Sequence, residues 1–197
     1  MEPAWKLRCR IHSRPLRVLE LCAGVSGSYA VMRDMGYRIA IWHAVESYPK
    51  TRMVVDYMYD GAVKHVGDDV GEFNVTEQYD VVMAGPPCQP WSRANPDALG
   101  FDDDRADVFI QCAGILQDVL RVNPAAKYMM ENVVMSDEMK QSGDEEMQEH
   151  SLNAQHFQFT RGSVHNIVLH FLRVIRAMPR EVLHQEATVI CCKHLLR

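Results

Sequence analysis

The chain has 197 residues, 47% of them hydrophobic, and a formal net charge of −5. That composition supports one domain with a real core and is too short for two full ones. There is no run of about 18 apolar residues, which excludes a spanning helix, and the polar, basic residues 1–16 have no apolar signal core. A soluble intracellular protein without a membrane partner is expected. The six cysteines (Cys9, Cys22, Cys88, Cys112, Cys191 and Cys192) form no CxxC pair, and the nine histidines are scattered, so neither a disulfide scaffold nor a metal site is expected. Arginine and lysine crowd both ends of the chain. Acidic residues gather at 102–104 and 144–149, and runs of this kind read as solvated surface. The overall acidity argues weakly against a nucleic-acid partner, which usually leaves a basic footprint.

In chain order, residues 17–22 read as a buried strand, and the small residues 23–27 as a turn. Residues 28–35 read as a helix stopped by Gly36. A second strand follows at 38–45, then a helix at 49–59 with Pro49 in its first turn. A third strand is expected at 63–66 and a strong one at 79–84, ended by Gly85-Pro86-Pro87. Residues 106–122 repeat apolar side chains at helical spacing, through Phe109, Ile110, Ala113, Leu116 and Leu120. A short strand at 127–130 precedes Glu131-Asn132. Strands alternating with helices predict an α/β fold with a parallel sheet. Residues 136–150 are compatible with a helix or a loop, and 164–178 carry an apolar stripe that reads as a packing face.

Gly24 and Gly27 stand between the first strand and the first helix. A glycine turn there lets a ligand approach the backbone and aims helix N–H groups at it. Glu46 ends the next strand, and Asp68 and Asp69 follow the third, so a turn and carboxylates face one crevice. That set suits a ligand with a ribose diol and an adenine amine. The full GxGxxG pattern is missing, which disfavours a nicotinamide dinucleotide, and two surface acids beside a tight turn would look the same.

The most informative stretch is Gly85-Pro86-Pro87-Cys88-Gln89-Pro90-Trp91-Ser92. A buried strand ends in a turn that two prolines hold rigid, and the turn projects a cysteine at low entropic cost. A thiol at that edge, beside a cofactor crevice, is placed for covalent catalysis. A core position for Cys88 fits poorly with the prolines and polar residues around it.

Here the sequence resembles the cytosine-5 DNA methyltransferase family. The Pro-Cys turn at 85–92 matches one hallmark and Glu131-Asn132-Val133 a second. The cofactor turn matches residues 20–27, with Cys22 where an aromatic residue is usual. Residues 100–105 resemble the end of the mobile loop that closes over the base, with Arg105 tying it down. The resemblance runs in order from about residue 17 to 133. It implies a Rossmann-like S-adenosylmethionine-dependent fold, mostly parallel, with helices on both faces and an incomplete C-terminal end. It also implies S-adenosyl-L-methionine as cofactor, held by Ala23, Gly24, Val25, Ser26, Gly27, Glu46, Asp68, Asp69 and Pro86. Glu46 would take the ribose hydroxyls and Asp68 the adenine amine. Cys88 would be the nucleophile and Glu131 the acid at the base's ring nitrogen. Asn132 would hold the Pro-Cys turn, and Arg161 would help hold the base.

The expected organisation is a basic extension at 1–16, a catalytic domain at 17–161 and a divergent tail at 162–197. Residues 153–161 resemble the start of the family's arginine segment, but the second arginine is absent. No stretch resembles a target-recognition region, so weak or absent activity is expected of the chain alone. The leading expectation is methylation of cytosine in DNA, with nuclear residence in a eukaryotic source. One alternative is the same chemistry on transfer RNA. It is less favoured because residues 156–161 offer a Phe-Thr and not the Cys-Phe-Thr of RNA-acting members. The other is a regulatory or fragmentary module that binds cofactor or DNA without turnover.

Overall fold

The computed structural model describes residues 14–92 and 95–133. Arg161, the segment 136–150, the stripe at 164–178 and the tail lie outside the described residues. Five strands form one sheet: β1 (Leu16–Leu21), β2 (Ile39–Val45), β3 (Lys64–Gly67), β4 (Val81–Ala84) and β5 (Lys127–Met130). Their order is β3-β2-β1-β4-β5, and all four pairings are parallel. Three helices accompany them: α1 (Gly27–Asp34), α2 (Pro49–Tyr59) and α3 (Asp107–Val122). The α/β expectation with a parallel sheet and helices on both faces therefore holds.

Strand alternation divides the core in two. On one face, Val18, Trp42 and Ala44 pack against Ala30 and Met32 of α1 and Val55 and Tyr59 of α2. On the other, Leu19, Leu21, Val45, Val82 and Ala84 meet Cys112, Ile115, Leu116 and Val119 of α3. The central strands β2, β1 and β4 are thus covered on both sides, as parallel strands require, while the edge strands β3 and β5 are more exposed.

Several boundaries shift by one or two residues. β1 stops at Leu21 because Cys22 turns left-handed at φ 52. β4 begins at Val81 rather than at residue 79, because the Tyr79 ring turns to His43 Nδ1, 2.9 Å from its hydroxyl. α1 spans Gly27–Asp34 and closes in a Schellman motif: Gly36, at φ 85, donates to the Arg33 carbonyl and Tyr37 to that of Met32. Two single 3-10 turns, Gly100–Asp102 and Asp104–Ala106, lead into α3. The crossover from β3 to β4 (68–80) contains no helix; Val70, Phe73 and Val75 cover that part of the sheet instead.

The strand order creates the site. The chain starts in the middle of the sheet, steps outward through β2 and β3, then returns to β4 on the other side of β1. The connections that leave β1 and β4 part in opposite directions at this reversal, and the crevice beyond the strands' carboxyl ends is where such sheets bind ligands.

Candidate active site

Two turns meet at the reversal. Cys22 to Ser26 follow β1, and Gly85 to Cys88 follow β4. The Gly85 N–H donates to the Leu21 carbonyl at 3.2 Å, so the second turn starts against the end of β1. The first turn is tight: Cys22, Gly24 and Ser26 all have φ near +50°, and Ser26 N–H closes on the Ala23 carbonyl at 2.9 Å. A Cβ on Gly24 would meet nothing within 4 Å, so this side of the turn is open, but a side chain would be strained at φ 53. Val25 and Ser26 offer their carbonyls to the Tyr59 hydroxyl, each at 3.2 Å, which ties the turn to α2. Burial pushes the Tyr59 hydroxyl up to about 12, so it stays a donor. The Ser26 side chain is fully buried.

Glu46 follows β2 and faces this turn. One carboxylate oxygen accepts the Gly24 N–H at 2.7 Å and the other accepts the Tyr48 N–H at 2.9 Å. Asp68, after β3, is 76% exposed and ion-paired with Arg52, whose guanidinium also donates to the Glu46 carbonyl at 3.1 Å. The turn and both carboxylates thus share one sheet edge. Asp69 behaves differently: it accepts the Gly71 N–H at 2.8 Å in its own small turn. The residues fit S-adenosylmethionine at this edge. The donor set is complementary: an open glycine backbone, a carboxylate with free lone pairs for a ribose diol, and a water-facing carboxylate for an amine.

The Pro-Cys turn is anchored at both ends. Asn132, just beyond β5, donates its side-chain amide to the Pro86 carbonyl at 3.3 Å and approaches that of Pro87 at 3.5 Å. Pro86 is buried and Cys88 half-buried. Three residues on, Trp91 is 2% exposed and packs against Phe101 and Phe109, with centroids at 5.2 and 5.4 Å. Trp91 N–H donates to the Cys88 carbonyl at 3.1 Å, and Gly100 N–H to that of Pro90 at 2.9 Å. Glu131 is placed by its N–H, which donates to the Ala84 carbonyl at 2.9 Å. Burial raises its carboxyl above the usual range. Both turns therefore hang on backbone groups at the ends of β1, β4 and β5.

Other predicted residues divide. Arg105 pairs with Asp103, two residues back, through a side-chain contact at 2.5 Å that lowers the Asp103 carboxyl to about 2. The pair closes the turn into α3. A cleft of about 450 Å³ opens under the 68–80 crossover, lined by His43, Lys64, Phe73, Glu77 and Tyr79. It touches the cofactor edge only at Gly67, Asp68 and Asp69 and has no wall from the Pro-Cys turn.

The sequence reading missed Glu20 and Trp91. Glu20 is 6% exposed on β1, accepts from the Ser28 hydroxyl and, at 2.8 Å, from the Trp42 indole. Burial drives its carboxyl up to about 7, against the lowering effect of the Trp42 bond. The signal was a single acid inside an apolar strand, Arg-Val-Leu-Glu-Leu. Trp91 stood in the quoted motif, yet its burial depends on Phe101 and Phe109, which are distant in sequence.

The profile of the C-5 cytosine-specific DNA methylase family matches residues 16–157, and the chain belongs to that family. S-adenosyl-L-methionine is the cofactor that goes with it. The chain is 26% identical over 112 residues to type II methyltransferase M.NgoPII of Neisseria gonorrhoeae, covering 52% of this chain and 30% of that protein. It is 29% identical over 124 residues to the human tRNA (cytosine(38)-C(5))-methyltransferase, covering 60% of this chain and 30% of that one. The crystal structure of the S. pombe Dnmt2 methyltransferase aligns with a TM-score of 0.48 and 20% identity, over 66% of this chain and 39% of that one. The matched part of this chain thus spans about a third of the length of these curated relatives.

Proposed function

We propose that this chain carries the catalytic half of a cytosine-5 methyltransferase that acts on DNA, with Cys88 as nucleophile and residues 17–161 as the catalytic domain. The observation that carries the reading is the Cys88 turn, fixed by Asn132 beside the glycine turn at the β1/β4 reversal.

The roles follow from chemistry. Carbon 5 of cytosine is a poor nucleophile. The Cys88 thiolate adds to carbon 6, and the ring electrons then make carbon 5 enamine-like. Glu131, its carboxyl raised by burial, gives a proton to ring nitrogen 3 and so draws electrons away from carbon 6 during attack. The cofactor supplies an electrophilic methyl group on a sulfonium. Water then takes the proton from carbon 5, the electron pair re-forms the carbon 5–carbon 6 double bond and expels the Cys88 thiolate, and the proton on nitrogen 3 returns to Glu131. Asn132 positions the turn and does not react. Ala23 to Gly27 present backbone to the cofactor, Glu46 takes its ribose hydroxyls and Asp68 its amine, with Pro86 forming a wall. Asp69, held in its own turn, acts at most through the shape of the 68–71 loop. The target base leaves the stack to reach Cys88, at about a few kcal/mol. Arg161 helps hold the base.

A second reading places the same chemistry on transfer RNA, supported by the likeness to the human tRNA enzyme. One experiment addresses both. The purified chain is incubated with labelled S-adenosylmethionine and either unmethylated duplex DNA or transfer RNA, beside Cys88→Ser. Weak label in DNA that the variant loses is the expected result. Label in RNA alone moves the assignment to the second reading. No label in either, with cofactor still bound, overturns turnover by this chain and leaves a binding module.

A further inference from the structure

Cys22 and Cys112 lie 90 residues apart in the sequence, yet their sulfurs are 3.9 Å from each other. Cys22 is the first residue of the cofactor turn, half-buried, in a left-handed conformation at φ 52. Cys112 is fully buried at the centre of α3. Neither thiol has a part in the methyl-transfer chemistry above. We propose that these two residues form a site of reversible disulfide oxidation that links the cofactor turn to α3.

The geometry sets the direction of the change. A disulfide is about 2.05 Å long, so the sulfurs approach by roughly 2 Å. Seven buried residues hold α3 in the core, whereas Cys22 stands at the edge in a turn. The movement therefore falls on Cys22 and on the turn behind it, which carries the Gly24 N–H bonded to Glu46. The same helix carries Phe109, which packs against Trp91 of the Pro-Cys loop. One bond at this point would thus tie both turns of the site to a single helix.

A peroxide is the co-reactant. The Cys22 sulfur, the more accessible of the two, attacks a peroxide oxygen: an S–O bond forms, the O–O bond breaks and water leaves. Cys112 then attacks the Cys22 sulfur. The S–S bond forms, the S–O bond breaks, and the departing hydroxide takes the Cys112 proton as water. The two thiols lose two electrons, and hydrogen peroxide becomes two waters. Its hydrogen bond to Cys22, together with burial, holds the Cys112 thiol well above its ordinary range. The second step is therefore the slow one, quickened when the turn opens. An external dithiol reverses the reaction by exchange.

The test uses the full chain, oxidised with hydrogen peroxide, alkylated and digested without reduction. A peptide pair joined through Cys22 and Cys112, absent after dithiothreitol and absent in Cys112→Ser, is expected. Cys22 joined to Cys88, or found only as free thiol or higher oxides, overturns the proposal. S-adenosylmethionine titration of the same samples supplies a second readout, which rests on the cofactor reading above. Oxidation is expected to weaken binding by roughly fivefold or more in the wild type, with recovery in dithiothreitol and no change in Cys112→Ser. An equal loss in Cys112→Ser assigns the effect to another thiol and overturns the link to the turn. Failure of the reduced chain to bind cofactor at all would count against the proposed function, while the peptide map still decides the disulfide. A thermal unfolding midpoint of Cys112→Ser close to wild type shows that the variant is folded.

Discussion

Each half of the sheet holds an acid whose carboxyl is raised by burial. Glu20, on β1 in the cofactor half, is 6% exposed, and Ser28 and Trp42 each donate to one of its oxygens. Glu131, just beyond β5 in the target half, is only partly covered and stands at the carboxyl edge with Asn132 and the Cys88 turn. Burial raises both carboxyls. The same physical cause therefore produces a structural acid in one place and a candidate proton donor in the other. What separates them is position along the strand: Glu20 lies within β1 and meets Ser28 of α1 and Trp42 of β2, whereas Glu131 follows the end of β5 at the carboxyl edge of the sheet.

Four substitutions can break or sharpen that contrast. Glu131→Gln should have the largest effect. It removes the proposed proton donor and should slow methyl transfer by about 10²- to 10⁴-fold. In the wild type the donating form is lost as pH rises through the raised Glu131 value, so the single-turnover rate should fall with increasing pH and the variant should lack that limb. A variant with an unchanged rate and profile would make Glu131 as structural as Glu20.

Trp91→Ala empties the space between Phe101 and Phe109 and should cost about 3–5 kcal/mol of stability, read from urea unfolding. A much smaller loss would mean that the Pro-Cys loop is not anchored there.

Glu20→Gln tests the enclosed acid through pH. Below about pH 4.5 the carboxyl is protonated in both the folded and the unfolded chain. As pH rises from 4.5 through about 7, the unfolded chain ionises first, so folded stability falls and the loss is complete above that range. The shift corresponds to ~3 kcal/mol. Glutamine cannot titrate, so the variant's stability should stay flatter between pH 5 and 8 in denaturant melts. An identical slope in both proteins would remove Glu20 from the pH response.

Glu46→Ala should have the smallest effect of the four. It removes the carboxylate proposed to take the cofactor's ribose hydroxyls, and the loss of such charged hydrogen bonds is worth about 1.5–3 kcal/mol; the Gly24 and Tyr48 N–H groups that it also frees lie at the open edge, where water replaces the lost acceptor. Cofactor affinity should weaken accordingly in calorimetric titration, with little change in urea stability. The opposite pattern would make Glu46 a fold residue like Glu20.

The sequence by itself determined the local elements and the chemistry they end in. Short β-like runs marked β1 to β5 to within about two residues, most clearly in the central strands β1, β2 and β4, where burial on both faces leaves a mainly apolar signal. Gly36 marked the end of α1, and Pro49 the start of α2, through backbone rules that act over one or two residues. The Pro-Cys turn and Glu131-Asn132 were legible for the same reason: each is a short, rigid segment. The tertiary structure decided which of these ends are neighbours. Only the β3-β2-β1-β4-β5 order sets the Cys22 turn beside Gly85 and lets Asn132 reach the Pro86 carbonyl. Only the folding of α3 onto the sheet brings Cys112 to Cys22 and Phe109 to Trp91. Glu20 shows the limit most clearly. Its oxygens are matched by a hydroxyl eight residues away and an indole on the next strand. A partner fixed by long-range strand pairing leaves no trace in local spacing.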